Sequence, residues 1–194
     1  RAIRGANVSE KNISFFIDSI DPQIITTKPA NRDFTNGSDF YVTYTENNLK
    51  ETTLFYGEDK ITNNDCPSGR SQICNFNINL TKYNGDVITY NFELRDIANN
   101  SDRSRNISVN VDTIPPNITK FNLTIIGKYA FFNISINESN FDKVQYKDFK
   151  DVSPSWKTLC SSLKNGICYK KLFFRTGQHN VTVQVLDKAR NYLE

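Results

Sequence analysis

The chain of 194 residues lacks most of the features by which a sequence announces chemistry. It has a single histidine, His179, and none of the G-x-S-x-G, phosphate-loop or H-E-x-x-H patterns that place a nucleophile, a nucleotide or a catalytic zinc. A lone imidazole beside a turn reads as a solvated side chain, and the chain is expected not to be an enzyme. No apolar run approaches the roughly 20 residues a helix needs to cross a bilayer, so no membrane span is expected. Net charge is only +3, with both signs interspersed. No basic stripe points to nucleic acid and no charge cluster to a membrane surface. Helical periodicity is missing as well. No charged, apolar, small-residue leader precedes Arg1, which fits a processed protein and a trimmed fragment equally.

Four cysteines stand as two pairs, Cys66 with Cys74 and Cys160 with Cys168, each separated by seven residues. Their even number, repeated spacing and loop-like settings, P-S-G-R-S-Q-I and S-S-L-K-N-G-I, predict two local disulfides formed in an oxidising compartment. A four-thiolate zinc site is the rival. Zinc knuckles usually separate their ligands by two to four residues, which favours the disulfides. Asn-X-Ser/Thr occurs eleven times, at Asn7, Asn12, Asn36, Asn79, Asn99, Asn106, Asn117, Asn122, Asn133, Asn137 and Asn180. Each alone is a weak signal; together they predict a heavily N-glycosylated, extracellular or cell-surface protein. No cofactor is expected beyond those glycans. Asp96, Asp102 and Asp112 near the chain's midpoint offer oxygen ligands of the kind calcium takes, but turn-forming aspartate explains them more simply.

Period-2 alternation is plentiful. Ile107, Val109 and Val111 alternate with Ser108, Asn110 and Asp112, the pattern of a half-buried strand, and Pro115-Pro116 stops it. The run from Asn106 to Ile118, N-I-S-V-N-V-D-T-I-P-P-N-I, has an earlier copy from Asn12 to Ile24, N-I-S-F-F-I-D-S-I-D-P-Q-I. Between the copies, strands are read near Ile24, at Phe40–Tyr44, Thr53–Tyr56, Phe76–Leu80 and Val87–Arg95. After the second copy the order repeats: Ile118–Ile125, Ala130–Ile136, Val144–Tyr146, Leu172–Phe174 and Val181–Val185. Short strands recurring with a period of roughly 95 residues predict an all-β chain of two tandem Ig-like, Greek-key sandwiches. The boundaries read as 1–21 for a leader and strand, 22–113 for domain 1 and 114–194 for domain 2. The turn D-K-A-R-N at Asp187–Asn191 matches D-I-A-N-N at Asp96–Asn100, and only three residues follow it. Domain 2 is therefore expected to lack its final strand.

The segments N-F-E-L-R-D-I-A-N-N, V-T-V-Q-V-L-D-K-A-R-N and V-D-T-I-P-P resemble the strand F, D-x-A-G-N turn and D-T-x-P-P linker of Ig-like repeats in bacterial and archaeal surface proteins. Trp156 shortly before Cys160 is similar to the arrangement in archaeal surface proteins. Asn99 and Arg190 stand where the family has glycine, which puts the turn conformation in question. The resemblance implies a fold and a surface setting rather than an activity.

A sandwich without its last strand exposes a sheet edge and the core beneath it. The copy near the amino terminus, carrying Asn12, Ile13, Ser14, Phe15, Phe16, Ile17 and Ile20, has the pattern to fill that gap in a second molecule. The expected partner is then the protein itself, in a head-to-tail homopolymer joined by donor strands. In that architecture the chain resembles the thread-type filaments of archaea. Two alternatives stay open: a two-repeat segment of a longer surface-layer or adhesin protein, and a sugar-binding module using Tyr41, Tyr56, Tyr83, Tyr90, Tyr146 and Trp156.

Overall fold

A computed structural model describes residues 11–15 and 17–193. Asn7 and Phe16, named above, lie outside them. The described chain folds into two β-sandwiches in tandem. Domain 1 contains β1 (Gln23–Lys28), β2 (Phe34–Thr35), β3 (Phe40–Glu46), β4 (Leu49–Tyr56), β5 (Asp59–Asn63), β6 (Gly69–Phe76), β7 (Val87–Asp96), β8 (Ser101–Arg103) and β9 (Ile107–Val111). Domain 2 contains β10 (Asn117–Ile126), β11 (Tyr129–Asn137), β12 (Phe141–Asp148), β13 (Lys157–Cys160), β14 (Ile167–Phe173), β15 (Val181–Asp187) and β16 (Tyr192–Leu193).

In domain 1 one sheet has the order β1-β3-β6 and faces another ordered β2-β9-β7-β4-β5, with β8 also on β7. Alternation builds the core between them. Along β3, Phe40, Val42 and Tyr44 point inward while Tyr41 and Thr43 turn away, and β9 sends in Ile107, Val109 and Val111. Phe40 and Phe92 pack edge-on against the Tyr90 ring, whose hydroxyl donates to Pro29 O. Each large apolar side chain buried in this way contributes about 1.5–3 kcal/mol.

Several local readings change. Within the stretch between Cys66 and Cys74 read as a loop, residues 69–74 are strand, because β3 supplies a ladder partner as far as Glu46–Gly69, so Cys74 lies on a strand; Cys160 and Cys168 also sit on strands. Both disulfides, Cys66–Cys74 and Cys160–Cys168, are formed. Ile78 and Leu80 continue the alternation beyond β6 and are buried, but without a ladder. The β4–β5 hairpin was not apparent in the sequence. Its Gly57 has φ 54°, and a Cβ there would come within 2.6 Å of the Tyr83 ring. Asn99 and Arg190 adopt φ 70° and 69°, so the two turns keep the left-handed residue that glycine usually supplies. Residues 11–15 and 17–20 pair with no strand.

Domain 2 repeats the plan with an omission. Its sheets are β10-β11-β14 and β13-β12-β15-β16, so β15 takes the place of β7 and β16 that of β8. Among the described residues nothing takes the place of β9. The buried core correspondingly comprises 15 residues in domain 1 and 8 in domain 2. Calorimetry of the monomeric chain is expected to show two transitions, with domain 2 melting first. Ile134→Ala should lower only the first and Leu54→Ala only the second, each by about 2–5 kcal/mol.

Candidate functional site

The omission leaves a groove. In domain 1, Val87, Ile88, Thr89 and Tyr90 pair with Asn110, Val109, Ser108 and Ile107 of β9. The matching cross-strand pairs Tyr56–Tyr90 and Asp148–Val181 place Gln178–Val181 at the same level of domain 2. Gln178–Asn180 are not strand, although their counterparts Val87–Thr89 are. Extended geometry persists where a neighbour accepts and donates the backbone hydrogen bonds, and among the described residues no strand lies beside Gln178–Asn180. Beneath the edge lies a cavity of about 640 Å³ whose apolar lining includes Leu123, Ile125, Phe132, Phe174 and Val181. Leu123 and Ile125 are 48% and 61% exposed. Tyr90 and Phe92 are sealed, whereas Val181 and Val183 at the same positions are only half-buried.

His179 stands in the groove at the position of Ile88, and it is not the solvated side chain expected. Its Nδ1 meets Asp148 Oδ2 at 2.5 Å, its Nε2 meets Arg175 O at 2.7 Å, and its ring lies edge-on to Phe174. The Arg175 carbonyl and the Asp148 carboxylate both favour the imidazolium and raise its pKa above 6.5. Burial pushes the Asp148 carboxyl up, but the Lys150 amide and His179 outweigh it and hold the carboxyl below its usual range. Sequence reasoning missed the pair because its members lie 31 positions apart.

The N-terminal copy of the closing strand is laid bare. Ile13, Phe15, Ile17 and Ile20 are 76%, 79%, 79% and 74% exposed, and Asn12 and Ser14 are exposed as well. Between them Asp18 is fastened to the pole of domain 1, where the carboxylates of Asp18, Glu46 and Asp96 lie within 4.8 Å of one another. The trio considered for calcium is not brought together in this cluster. Asp102 accepts from the Ile24 amide at 2.7 Å, and Asp112 sits at the pole of domain 2 with Asn140. There burial raises the Asp187 carboxyl to about 6, against the opposing pull of Asn191 and helped by Asp112 and Glu138.

Of the sequon asparagines, Asn12, Asn79, Asn99, Asn106, Asn117, Asn122, Asn133, Asn137 and Asn180 are exposed. Asn36 is half-buried between the domains and donates to Asn191 Oδ1 at 3.1 Å. The six aromatics weighed as a sugar platform are divided between the domains. Tyr90 is buried, Tyr56 packs edge-on against Tyr83, and Trp156 carries the Lys147 ammonium over its ring.

No family model and no curated protein matches the chain. Among solved structures it is similar to the FN1–FN3 domains of chicken CNTN1, with a TM-score of 0.53 at 11% identity, covering 89% of this chain and 63% of that one. It thus spans less than two thirds of that structure. The fibronectin(III)-like modules of Clostridium thermocellum CbhA give 0.46 at 11% identity with 88% of both chains covered. Dimeric latent PorU from Porphyromonas gingivalis gives 0.39 at 16% identity, covering 89% of this chain and 18% of that one. The CNTN1 likeness agrees with the tandem Ig-like sandwich fold and speaks to the fold alone.

Two outcomes are expected. A raised histidine pKa stabilises the fold fully below about pH 6.5 and ceases to do so as pH rises through the raised value, so the domain 2 transition should fall from pH 6.5 upward. His179→Gln should flatten that slope. Peptide mass spectrometry of the native protein should find Asn36 unmodified, because a glycan there would break the contact with Asn191.

Proposed function

We propose that the chain is a structural, non-enzymatic subunit of an extracellular glycosylated filament, assembled head-to-tail by donor-strand complementation. The observation that carries this reading is a paired surplus and deficit. Domain 2 has an open core edge, and the chain carries, exposed, a second copy of the strand that closes the same edge in domain 1. In the register of β9, Ile13 of one copy would oppose Val181 of the next, Phe15 would oppose His179, and Ile17 would lie beside Thr176 and Gly177. Side-chain volumes are reciprocal. The acceptor has Val181 and Val183 where domain 1 has Tyr90 and Phe92, and the donor has Phe15 where domain 1 has Val109. Small residues on the floor leave room for the larger plug.

The two disulfides and the exposed sequons support an oxidising, glycan-adding compartment. Three donated apolar side chains contribute about 1.5–3 kcal/mol each on burial, and ordering the donor backbone offsets part of this at about 1–2 kcal/mol per residue. Pairing of backbone groups along the exposed edge adds to the balance.

Electron microscopy of the protein at micromolar concentration should show continuous fibres. Phe15→Asp should leave monomers, because a charge cannot enter the apolar groove unpaired. A peptide of residues 11–21 should bind those monomers and raise the first melting transition. Monomeric wild type that ignores the peptide would sink the reading. Peptide binding without polymerisation would favour the alternative, two repeats of a longer surface array.

A further inference from the structure

Asp18 is held at the pole of domain 1 although Ile17 and Ile20 beside it are exposed, and the manner of its seating is duplicated elsewhere in the molecule. Asp18 Oδ2 accepts from Asn48 Nδ2 at 3.0 Å, its main-chain oxygen accepts from Asn100 Nδ2 at 3.0 Å, and its Oδ1 accepts from the Ile20 amide at 3.0 Å. At the pole of domain 2, Asp112 Oδ2 accepts from Asn140 Nδ2 at 2.9 Å, its main-chain oxygen from Asn191 Nδ2 at 2.9 Å, and its Oδ1 from the Ile114 amide at 3.2 Å. The supports match as well. Glu46 and Glu138 each bind the amide of the asparagine two residues on, and Asp96 and Asp187 each bind the asparagine four residues on through both amide and side chain.

Asp112 immediately follows β9, the closing strand of a complete sandwich that sits against domain 2. Three bonds to the side chain and main chain of one residue fix the direction in which the chain leaves it. The residues ahead of Asp18 therefore leave domain 1 much as β9 leaves domain 2. We infer that the pole of domain 1, around Asp18, Glu46, Asn48, Asp96 and Asn100, is a docking face for the open end of domain 2 of a second copy. The joint between subunits then repeats the joint within one. This rests on the filament reading and adds a second contact surface to it.

Charge commits the face to that occupant. The pole presents the partly exposed Asp18 carboxylate, with the carboxylates of Glu46 and Asp96 buried just behind it. The open end of domain 2 carries Lys128 and Arg175 at the groove and Lys150, whose Nζ donates to Thr176 O at 3.0 Å. The apolar residues also correspond. Lys188, one residue after Asp187, reaches over the Phe34 ring of domain 1 at 5.5 Å. Its counterpart Ile97 is 49% exposed, and Ile126 at the tip of the β10–β11 hairpin is 63% exposed.

Displacement separates the groove from the joint. A labelled peptide of residues 11–21 is bound to the Phe15→Asp chain and then displaced, either by unlabelled peptide or by whole chains. The peptide carries the strand without the pole. A competitor chain whose own groove is blocked by Val181→Arg, and which therefore stays monomeric with its donor free, should displace it at about tenfold lower concentration than peptide does, and the same chain with Asn48→Ala and Ile97→Glu added should lose most of that advantage. The two added substitutions lie outside the groove and should leave the second melting transition in place. Equal displacement by the groove-blocked chain with and without them overturns the joint while leaving strand donation standing. Failure of the peptide itself to bind removes both.

Discussion

An extended backbone is stable where a neighbouring strand takes up its amide and carbonyl groups, and the contrast between the two sandwiches follows from whether that neighbour exists along a single edge. In domain 1 β9 provides it, so β7 begins at Val87 and Tyr90 and Phe92 are sealed. Among the described residues of domain 2 the same sheet stops at β15 on that side, β15 begins at Val181, and its own Val181 and Val183 stay half-open to solvent. The groove, the smaller core and the unladdered approach through Gln178–Asn180 are one effect seen at three scales.

The second recurring constraint is chemical rather than geometric. Each sandwich begins just after an aspartate, a short apolar step and a buried proline, Asp18 to Pro22 and Asp112 to Pro116. In both places a glutamate and an aspartate turn their carboxylates onto the amides of two asparagines, and this orients the asparagine side chains toward the arriving aspartate. Burying a carboxylate in such a cluster has a cost, visible at Asp187, which burial first of all and then the charges of Asp112 and Glu138 raise to about 6, while the side chain and amide of Asn191 offset part of it.

Much of the scaffold was legible in the sequence because it depends on local periodicity. Ile107-Ser108-Val109-Asn110-Val111 alternates as a half-buried strand must, and in its copy Ile13, Phe15 and Ile17 keep the same phase but stand exposed. The cysteine pairs were legible for a similar reason, each closing a short segment. What stayed hidden depends on residues far apart in the chain. His179 finds Asp148 across 31 positions, Asn48 finds Asp18 across 30, and Asn191 finds Asp112 across 79. No window of pattern reports such a meeting. Residues 69–74 look like a loop for the converse reason: their serine and glycine content is loop-like, and only β3 opposite makes them a strand.

The small pairing of β2 with β9, Phe34 beside Asn110 and Thr35 beside Val111, is parallel, unlike the other ladders described. Tension applied to the two ends of domain 1 therefore drags these strands lengthwise past each other. Their bonds are loaded together and must fail together, instead of parting one at a time as in an unzipping hairpin. Domain 1 thus carries a shear-loaded clamp for which the described residues of domain 2 have no counterpart.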